Sequence, residues 1–68
     1  MNALKIKEDG TLEYATIDRI DQGGYVDSLG RELRDSGETQ TLMGWGEMDG
    51  EAKIITDEYG DPAYYIHD

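Results

Sequence analysis

The alternation of apolar and polar residues in the second half of the chain predicts a three-stranded antiparallel meander. Its strands are predicted over Thr39–Met48, Glu51–Thr56 and Ala63–His67. The pair Asp49-Gly50 favours a two-residue hairpin turn between the first two strands. The segment Asp57–Asp61 supplies a second turn, because it contains a glycine that can adopt a left-handed backbone conformation.

Charge decides the expected register of the first meander hairpin. A two-residue turn at Asp49-Gly50 places Trp45 opposite Ile54. A three-residue loop would instead oppose Glu47 to Glu51, two like charges that destabilise a strand pair. We therefore expect the two-residue turn.

The positions of glycine and proline add detail to the predicted meander. Gly44 and Gly46 alternate on the face away from Trp45 and predict a groove in which the helix or another chain packs. Pro62 has no amide hydrogen for a sheet ladder. The last strand is therefore expected to begin there and to lie at a sheet edge.

The N-terminal segment predicts a β-hairpin around Glu8-Asp9-Gly10. A two-residue turn would place Ile6 opposite the charged Glu13, whereas a three-residue loop with a left-handed Gly10 gives one apolar face. The second register also places an ion pair on the other face. The expected pairs are Leu4 with Tyr14, Ile6 with Leu12 and Lys5 with Glu13.

An α-helix is predicted over Tyr25–Asp35. Its apolar residues recur at helical spacing, and two arginines lie in its last turns, where the helix dipole favours cations. Ser36-Gly37 supplies a C-terminal stop. The preceding Ile17–Gly24 is predicted to be a connector, with Ile17 and Ile20 pointing inward.

These elements predict a single α+β domain over residues 1–68. It consists of an N-terminal β-hairpin, one α-helix and a C-terminal three-stranded antiparallel meander, with the helix packed on one sheet face. The expected core is formed by the apolar residues of these elements: Leu4, Ile6, Leu12, Tyr14, Val26, Leu29, Leu33, Leu42, Trp45, Ile54 and Ile66.

Composition narrows the class of protein. With 68 residues the chain is one domain at most, and with no cysteine it has no disulfides or thiolate metal sites. No apolar run approaches the roughly 20 residues that span a bilayer. The N-terminus becomes polar too early for a signal peptide. The sequence therefore predicts a cytoplasmic protein.

The charge balance is the main pointer to function. Sixteen acidic residues face six basic ones, which gives a formal charge of −10. Such a chain repels DNA and anionic membranes and is attracted to basic surfaces. The acids do not form a tail of like charges. Solubility, or adaptation to high salt, is the alternative explanation of this charge.

Chemical motifs do not point to an enzyme. The lone histidine, His67, lies next to the C-terminus, where no neighbouring group would orient it as a catalytic base. Gly23-Gly24 lacks the spacing of a phosphate-binding loop. Asp49–Glu51 and Asp57–Asp61 contain acids and glycine but do not follow the ligand order of a calcium-binding loop. No catalytic residue, cofactor or metal ion is expected.

A basic nucleic-acid channel could instead be occupied by carboxylates held on a rigid scaffold. The candidate binding residues are the acids of the predicted helix and turns, with two tyrosines as anchors. They are Asp27, Glu32, Asp35, Glu38, Glu47, Asp49, Glu51, Asp57, Glu58, Asp61, Tyr64 and Tyr65. Charge reversal at Asp27, Glu32 and Asp35 together is expected to weaken binding and leave the fold intact.

In its size, charge, missing cysteine and expected α+β make-up, the chain resembles small acidic proteins of phages and other mobile elements. Anti-CRISPR and DNA-mimic anti-restriction proteins are the best-known members of that class. The resemblance implies a non-enzymatic inhibitor, active in the host cytoplasm, that binds a basic host protein or ribonucleoprotein effector and does not itself bind nucleic acid. Two alternatives stay open: an immunity or antitoxin-type protein that neutralises a basic nuclease, and a structural homodimer joined through Tyr64–Ile66 strand pairing.

Overall fold

The protein is an antiparallel sheet of seven strands, curled into a half-barrel. The computed structural model describes residues 1–67. The strands are β1 (Asn2–Ile6), β2 (Leu12–Thr16), β3 (Asp18–Arg19), β4 (Gly24–Val26), β5 (Glu32–Leu42), β6 (Gly50–Thr56) and β7 (Pro62–Ile66). Their order across the sheet is β2-β1-β7-β6-β5-β4-β3. Two short 3-10 turns, Asp21–Gly23 and Gly46–Met48, lie in the connections.

The predicted α+β class is wrong, because residues 1–67 contain no α-helix. The segment predicted as a helix, Tyr25–Asp35, forms the end of β4, a tight turn and the start of β5. Tyr25 lies opposite Leu33, and both side chains are buried. Their spacing therefore suits two paired strands as well as one helical face. Leu29, placed by the helical pattern in the core, is 77% exposed at the turn tip.

The sheet contains three adjacent hairpins whose turns share one geometry. The turns are 7–11, 27–31 and 57–61. In each, the first N–H donates to the fifth carbonyl at 2.8–3.2 Å, and the glycine N–H donates to the first carbonyl at 2.9–3.0 Å. The three glycines have φ between +80° and +86°, where a side chain is strained. Because neighbouring strands alternate in direction, all three turns lie at the same end of the sheet. We name this end the turn rim.

Several predicted details of the hairpins are confirmed. In the first hairpin Leu4 lies opposite Tyr14, Lys5 opposite Glu13 and Ile6 opposite Leu12, around the predicted three-residue loop. The turn at Asp57–Asp61 has its glycine in the left-handed region, and β7 begins at Pro62.

The predicted two-residue turn at Asp49-Gly50 is wrong. Gly50 pairs with Leu42, so residues 43–49 form a loop and Trp45 has no partner at Ile54. The loop closes locally, since the Asp49 carboxylate accepts the Trp45 N–H at 2.7 Å.

Burial also favours this longer loop. Met48 of the loop is buried with Leu4, Leu42 and Ala52, Trp45 packs against this cluster, and burial of this apolar surface stabilises the fold. Gly44 and Gly46 lie in the loop with φ of +88° and +61°. The helix-binding groove that they were expected to form is therefore absent.

The prediction that β7 is an edge strand is also wrong. β7 lies between β1 and β6 and pairs with both. Because both of its sides are occupied, a second copy of the chain has no free edge at Tyr64–Ile66. The proline at its first residue pairs with Thr56, where the ladder already shifts register.

Apolar residues are buried on both faces of the sheet. Ala3 and Leu4 are adjacent in β1, so they point to opposite faces, and each is fully buried in a different cluster. The first cluster is Ala3, Ile17, Tyr25, Leu33, Ile55, Ala63, Tyr64 and Ile66. The second is Leu4, Leu42, Met48 and Ala52, with Leu12, Trp45 and Tyr65 packed against it.

The expected core is confirmed in part. Leu4, Leu33, Leu42 and Ile66 are buried, whereas Ile6, Leu12, Val26, Trp45 and Ile54 are half-buried. Tyr14 is 64% exposed, and its hydroxyl donates to the Trp45 carbonyl at 2.8 Å. Of the two isoleucines expected to point inward, Ile17 is buried and Ile20 is exposed.

One chain segment closes the curl of the sheet. β2 and β3 are separated only by Ile17, yet they form the two opposite ends of the strand order. The sheet must therefore bend until its two ends approach each other. Ile17 exchanges backbone hydrogen bonds with Met1 at 2.6 and 3.1 Å, which fixes the N-terminus at this junction. In residues 1–67, no helix is long and apolar enough to cross a membrane.

Candidate functional site

The twelve candidate binding residues do not form one surface. Asp27 and Tyr64 are buried, at 6% and 4% exposure. Asp57 and Tyr65 are half-buried. The remaining eight are exposed: Glu32, Asp35, Glu38, Glu47, Asp49, Glu51, Glu58 and Asp61.

Eight of the ten candidate acids fall into two groups at opposite ends of the sheet. The rim acids, at the turn rim, are Glu32, Asp57, Glu58 and Asp61. The loop-end acids, near the loop between β5 and β6, are Glu38, Glu47, Asp49 and Glu51. β5 runs from one group to the other, and the molecule measures 30 Å along its longest axis. Asp35 lies between the groups, with its carboxylate 3.6 Å from the Lys53 ammonium.

Asp27 is the centre of a buried hydrogen-bond cluster. Its Oδ1 accepts the N–H groups of Leu29 at 3.0 Å and Arg31 at 2.9 Å. Its Oδ2 accepts Nε–H of Arg31 at 2.7 Å and the hydroxyl of Tyr64 at 3.2 Å. A carboxylate enclosed in this way is not accessible to a partner. Charge reversal at Asp27 would break the cluster, which conflicts with the expectation that it leaves the fold intact.

The pKa values of this cluster follow from burial and hydrogen bonding. Burial raises the pKa of Asp27, but hydrogen bonds from Arg31 and Leu29 outweigh it, so the pKa lies below its ordinary value. The same Asp27 carboxylate raises the pKa of Arg31. Burial raises the pKa of the Tyr64 hydroxyl. The cluster therefore holds an ionised Asp27–Arg31 pair with a neutral tyrosine at neutral pH.

The two tyrosines selected as anchors lie in the sheet. Tyr64 belongs to the first core cluster, and Tyr65 packs against the second. The exposed aromatic residue beside the rim acids is Tyr59, at 81% exposure, and Leu29 on the neighbouring turn is 77% exposed. Both occupy the third position of an Asp-x-x-Gly turn. That position projects from the hairpin tip, and it is the sequence signal that could have identified them.

A small groove separates the turns at 27–31 and 57–61. It has a volume of about 320 Å³ and is lined by Gly30, Arg31, Glu32, Asp57, Glu58 and Tyr59. A wider groove of about 800 Å³ is lined by residues of all three turns, including Lys7, Arg31 and Asp61. The rim thus combines an exposed tyrosine with carboxylates, and cations lie in the adjoining groove.

Part of the high aspartate content is explained by turn chemistry. Asp9, Asp35 and Asp57 each accept the backbone N–H of the residue two positions on, at 2.9–3.0 Å. Such bonds stabilise turns without any partner. Hydrogen bonds from Thr11, through its side chain and backbone, lower the pKa of Asp9. The acidity of the chain is therefore partly structural.

The arrangement offers charge and apolar contact as its means of binding. Among residues 1–67, no three His, Asp or Glu side chains are grouped so that they could hold a metal ion. His67 is held in place, since its Nε2 lies 2.7 Å from the carbonyl oxygen of Met48.

Comparison with known proteins adds no relative. The chain matches no protein-family model, no curated protein and no solved structure. Its function is therefore inferred from its own charge and geometry.

Proposed function

We propose that this chain is a non-enzymatic inhibitor that occupies the basic, nucleic-acid-binding surface of a host defence complex. One observation carries the proposal: thirteen of the fifteen acidic residues within residues 1–67 are exposed on a folded sheet. A basic surface that binds phosphates attracts such a protein. Possible DNA mimicry follows from the same electrostatics.

A rigid scaffold makes the carboxylates better ligands. Asp57 is fixed by hydrogen bonds from the N–H groups of Tyr59 and Asp61, at 2.9 and 3.0 Å. A side chain that is already ordered loses less entropy when it binds. The neighbouring Glu32 and Glu58 extend the same acidic surface across the groove.

Tyr59 supplies the anchor for this interface. Tyrosine is enriched among the residues that dominate binding energy, and Tyr59 stands exposed among the rim acids. We therefore place the partner-facing surface at the turn rim, and not at Tyr64 and Tyr65.

Inhibition of purified effectors tests the proposal. CRISPR effector complexes and restriction enzymes are assayed for DNA binding with increasing amounts of the chain. We expect inhibition that DNA competes away and that weakens at least tenfold between about 50 and 200 mM salt. A basic nuclease in the same panel tests the immunity-protein alternative. Absence of inhibition across the panel, or inhibition that salt does not weaken, would contradict the proposal.

A charge-reversal pair locates the interface. The variant Glu58→Lys, at the turn rim, should inhibit at least fivefold less well. The matched control is Asp21→Lys, which changes the net charge equally at an exposed residue before β4, at the opposite end of that strand from the turn rim. Equal losses in both variants would show that net charge, and not the turn rim, determines binding.

A further inference from the structure

β5 has one side that is only partly covered. β4 pairs with its first three residues, Glu32–Arg34. β6 follows its other side as far as Leu42. Among the described residues, no strand pairs with the β4 side of residues 38–42. We name this side the open edge.

The open edge projects into solvent with its strand geometry already set. Glu38, Thr39, Gln40 and Thr41 are all exposed, although successive residues point to opposite faces. Pairing with β6 holds residues 39–42 extended. A register shift between Asp35 and Thr39 separates this part of the strand from the part that β4 covers.

Residues 39–42 of the open edge lack two of the usual protections against strand addition, charge and proline. Natural edge strands are commonly blunted by lysine, proline or inward-pointing charge. Residues 39–42, Thr-Gln-Thr-Leu, contain no charge and no proline. Threonine also favours the extended conformation. The backbone of this segment is therefore suited to pairing with another strand.

The charges around the open edge select a basic occupant. Glu38 lies at one end of the segment, and Glu51 lies opposite Thr41 on β6. Glu47 and Asp49 follow in the loop, and all four carboxylates are exposed. A second copy of the chain would bring the same negative charge to the edge, and the two copies would repel each other.

We propose that the open edge accepts an extended, lysine- or arginine-bearing segment of the partner protein as an added strand. Backbone hydrogen bonds would supply affinity, and the loop-end acids would select basic side chains. The inference rests on the proposed function only for the basic character of the partner. It names a contact separate from the turn rim, about one strand length away.

A peptide pair tests strand addition directly. The probe is an eight-residue peptide of alternating lysine and valine, and its control has every backbone nitrogen methylated. Both carry the same charge, but the control has no backbone N–H donors. Amide chemical shifts and hydrogen exchange are recorded by NMR. We expect exchange to slow at least tenfold with the probe at those residues of 38–42 whose N–H groups face the open edge. The control should bind at least tenfold more weakly.

Other outcomes separate the two proposals. Equal binding of both peptides, or shifts confined to residues 57–61, would overturn strand addition and leave the proposed function standing. Binding of neither peptide would overturn strand addition, whereas the proposed function is contradicted only by the inhibition assay. Self-association through residues 38–42, detected by sedimentation of the chain alone, would overturn the choice of a basic occupant.

A single substitution provides a second readout. Gln40→Lys adds a positive charge at an exposed position in the middle of the open edge. It should weaken binding of the probe peptide at least tenfold. Ser28→Lys makes the same charge change at the turn rim and should weaken binding of the probe peptide less than twofold. Equal effects of the two variants would overturn the proposed location.

Discussion

The turns at 27–31 and 57–61 have the same backbone but use their first aspartate differently. Each begins with aspartate, has glycine fourth, and has both a backbone hydrogen-bond pair and a carboxylate that accepts two N–H groups. Asp27 is buried and also contacts Arg31 and Tyr64, whereas Asp57 is half-buried. The turn motif is therefore local, but the role of its acid depends on what the fold places beside it.

This difference separates structural acids from candidate binding acids. At the first turn, the carboxylate joins the β4–β5 hairpin to β7 through Tyr64. At the second, the neighbouring Glu58 and Asp61 face solvent. Charge alone would have assigned the two turns the same function.

The largest difference is expected from removing the two aspartates. Asp27→Ala should lower the free energy of unfolding by about 3 kcal/mol, because it leaves a buried hydroxyl and a guanidinium without their acceptor. Urea unfolding measures the loss. Asp57→Ala is the matched variant and should cost about 1 kcal/mol, the value of two exposed turn hydrogen bonds. Equal losses in the two variants would show that burial of Asp27 adds nothing to the stability of the fold.

Acid pH should test the contribution of the ionised Asp27 carboxylate to stability. The folded-state pKa of Asp27 lies below its ordinary value of 3.8. Its ionised form therefore stabilises the fold above about pH 4, and this stabilisation is lost as the pH falls through the folded-state pKa. Asp27→Asn should flatten this acid-induced loss in urea unfolding measured from pH 7 to pH 3. An unchanged pH profile in that variant would contradict the assignment.

Replacing either turn glycine with alanine should lower the free energy of unfolding equally, because the backbone strain that alanine introduces is local. Gly30→Ala and Gly60→Ala should each cost roughly 1–2 kcal/mol, the price of a left-handed backbone for a residue with a side chain. An added Cβ meets no atom within 4 Å at either position. Thermal and urea unfolding compare the pair. A cost at Gly30 more than twice that at Gly60 would show that tertiary contacts reach the turn backbone.

The smallest effect is expected from the Tyr64 hydroxyl. Tyr64→Phe keeps the ring in the core and removes one donor to Asp27, which still accepts three other hydrogen bonds. We expect a loss of about 1 kcal/mol. Tyr65→Phe is the control and should change the unfolding free energy by less than about 0.5 kcal/mol. A larger loss at Tyr65 would contradict this account of the cluster.

The N-terminal hairpin could be predicted because its register depends on adjacent residues. Pairing Ile6 with Leu12 and Lys5 with Glu13 satisfies both faces at once, and Gly10 permits the turn. The helix at Tyr25–Asp35 was wrong because a spacing of eight residues between Tyr25 and Leu33 fits both a helical stripe and a strand pair. Only the partner strands distinguish the two.

The candidate site was predicted only as a set of charges. The sequence identifies Glu58 and Asp61 as surface acids, since they flank a turn. It does not reveal that Asp27 is enclosed, because this depends on the contact with Tyr64 in a distant segment.

The sequence by itself determined the tight turns at 7–11 and 57–61, the first hairpin and the net charge of −10. Each of these depends on the conformational preferences or charges of neighbouring residues. The tertiary structure alone decided that Tyr25–Asp35 is extended, that β7 is internal and that part of β5 is uncovered. These outcomes follow from burying apolar residues on both faces of one curled sheet, which couples residues far apart in the chain.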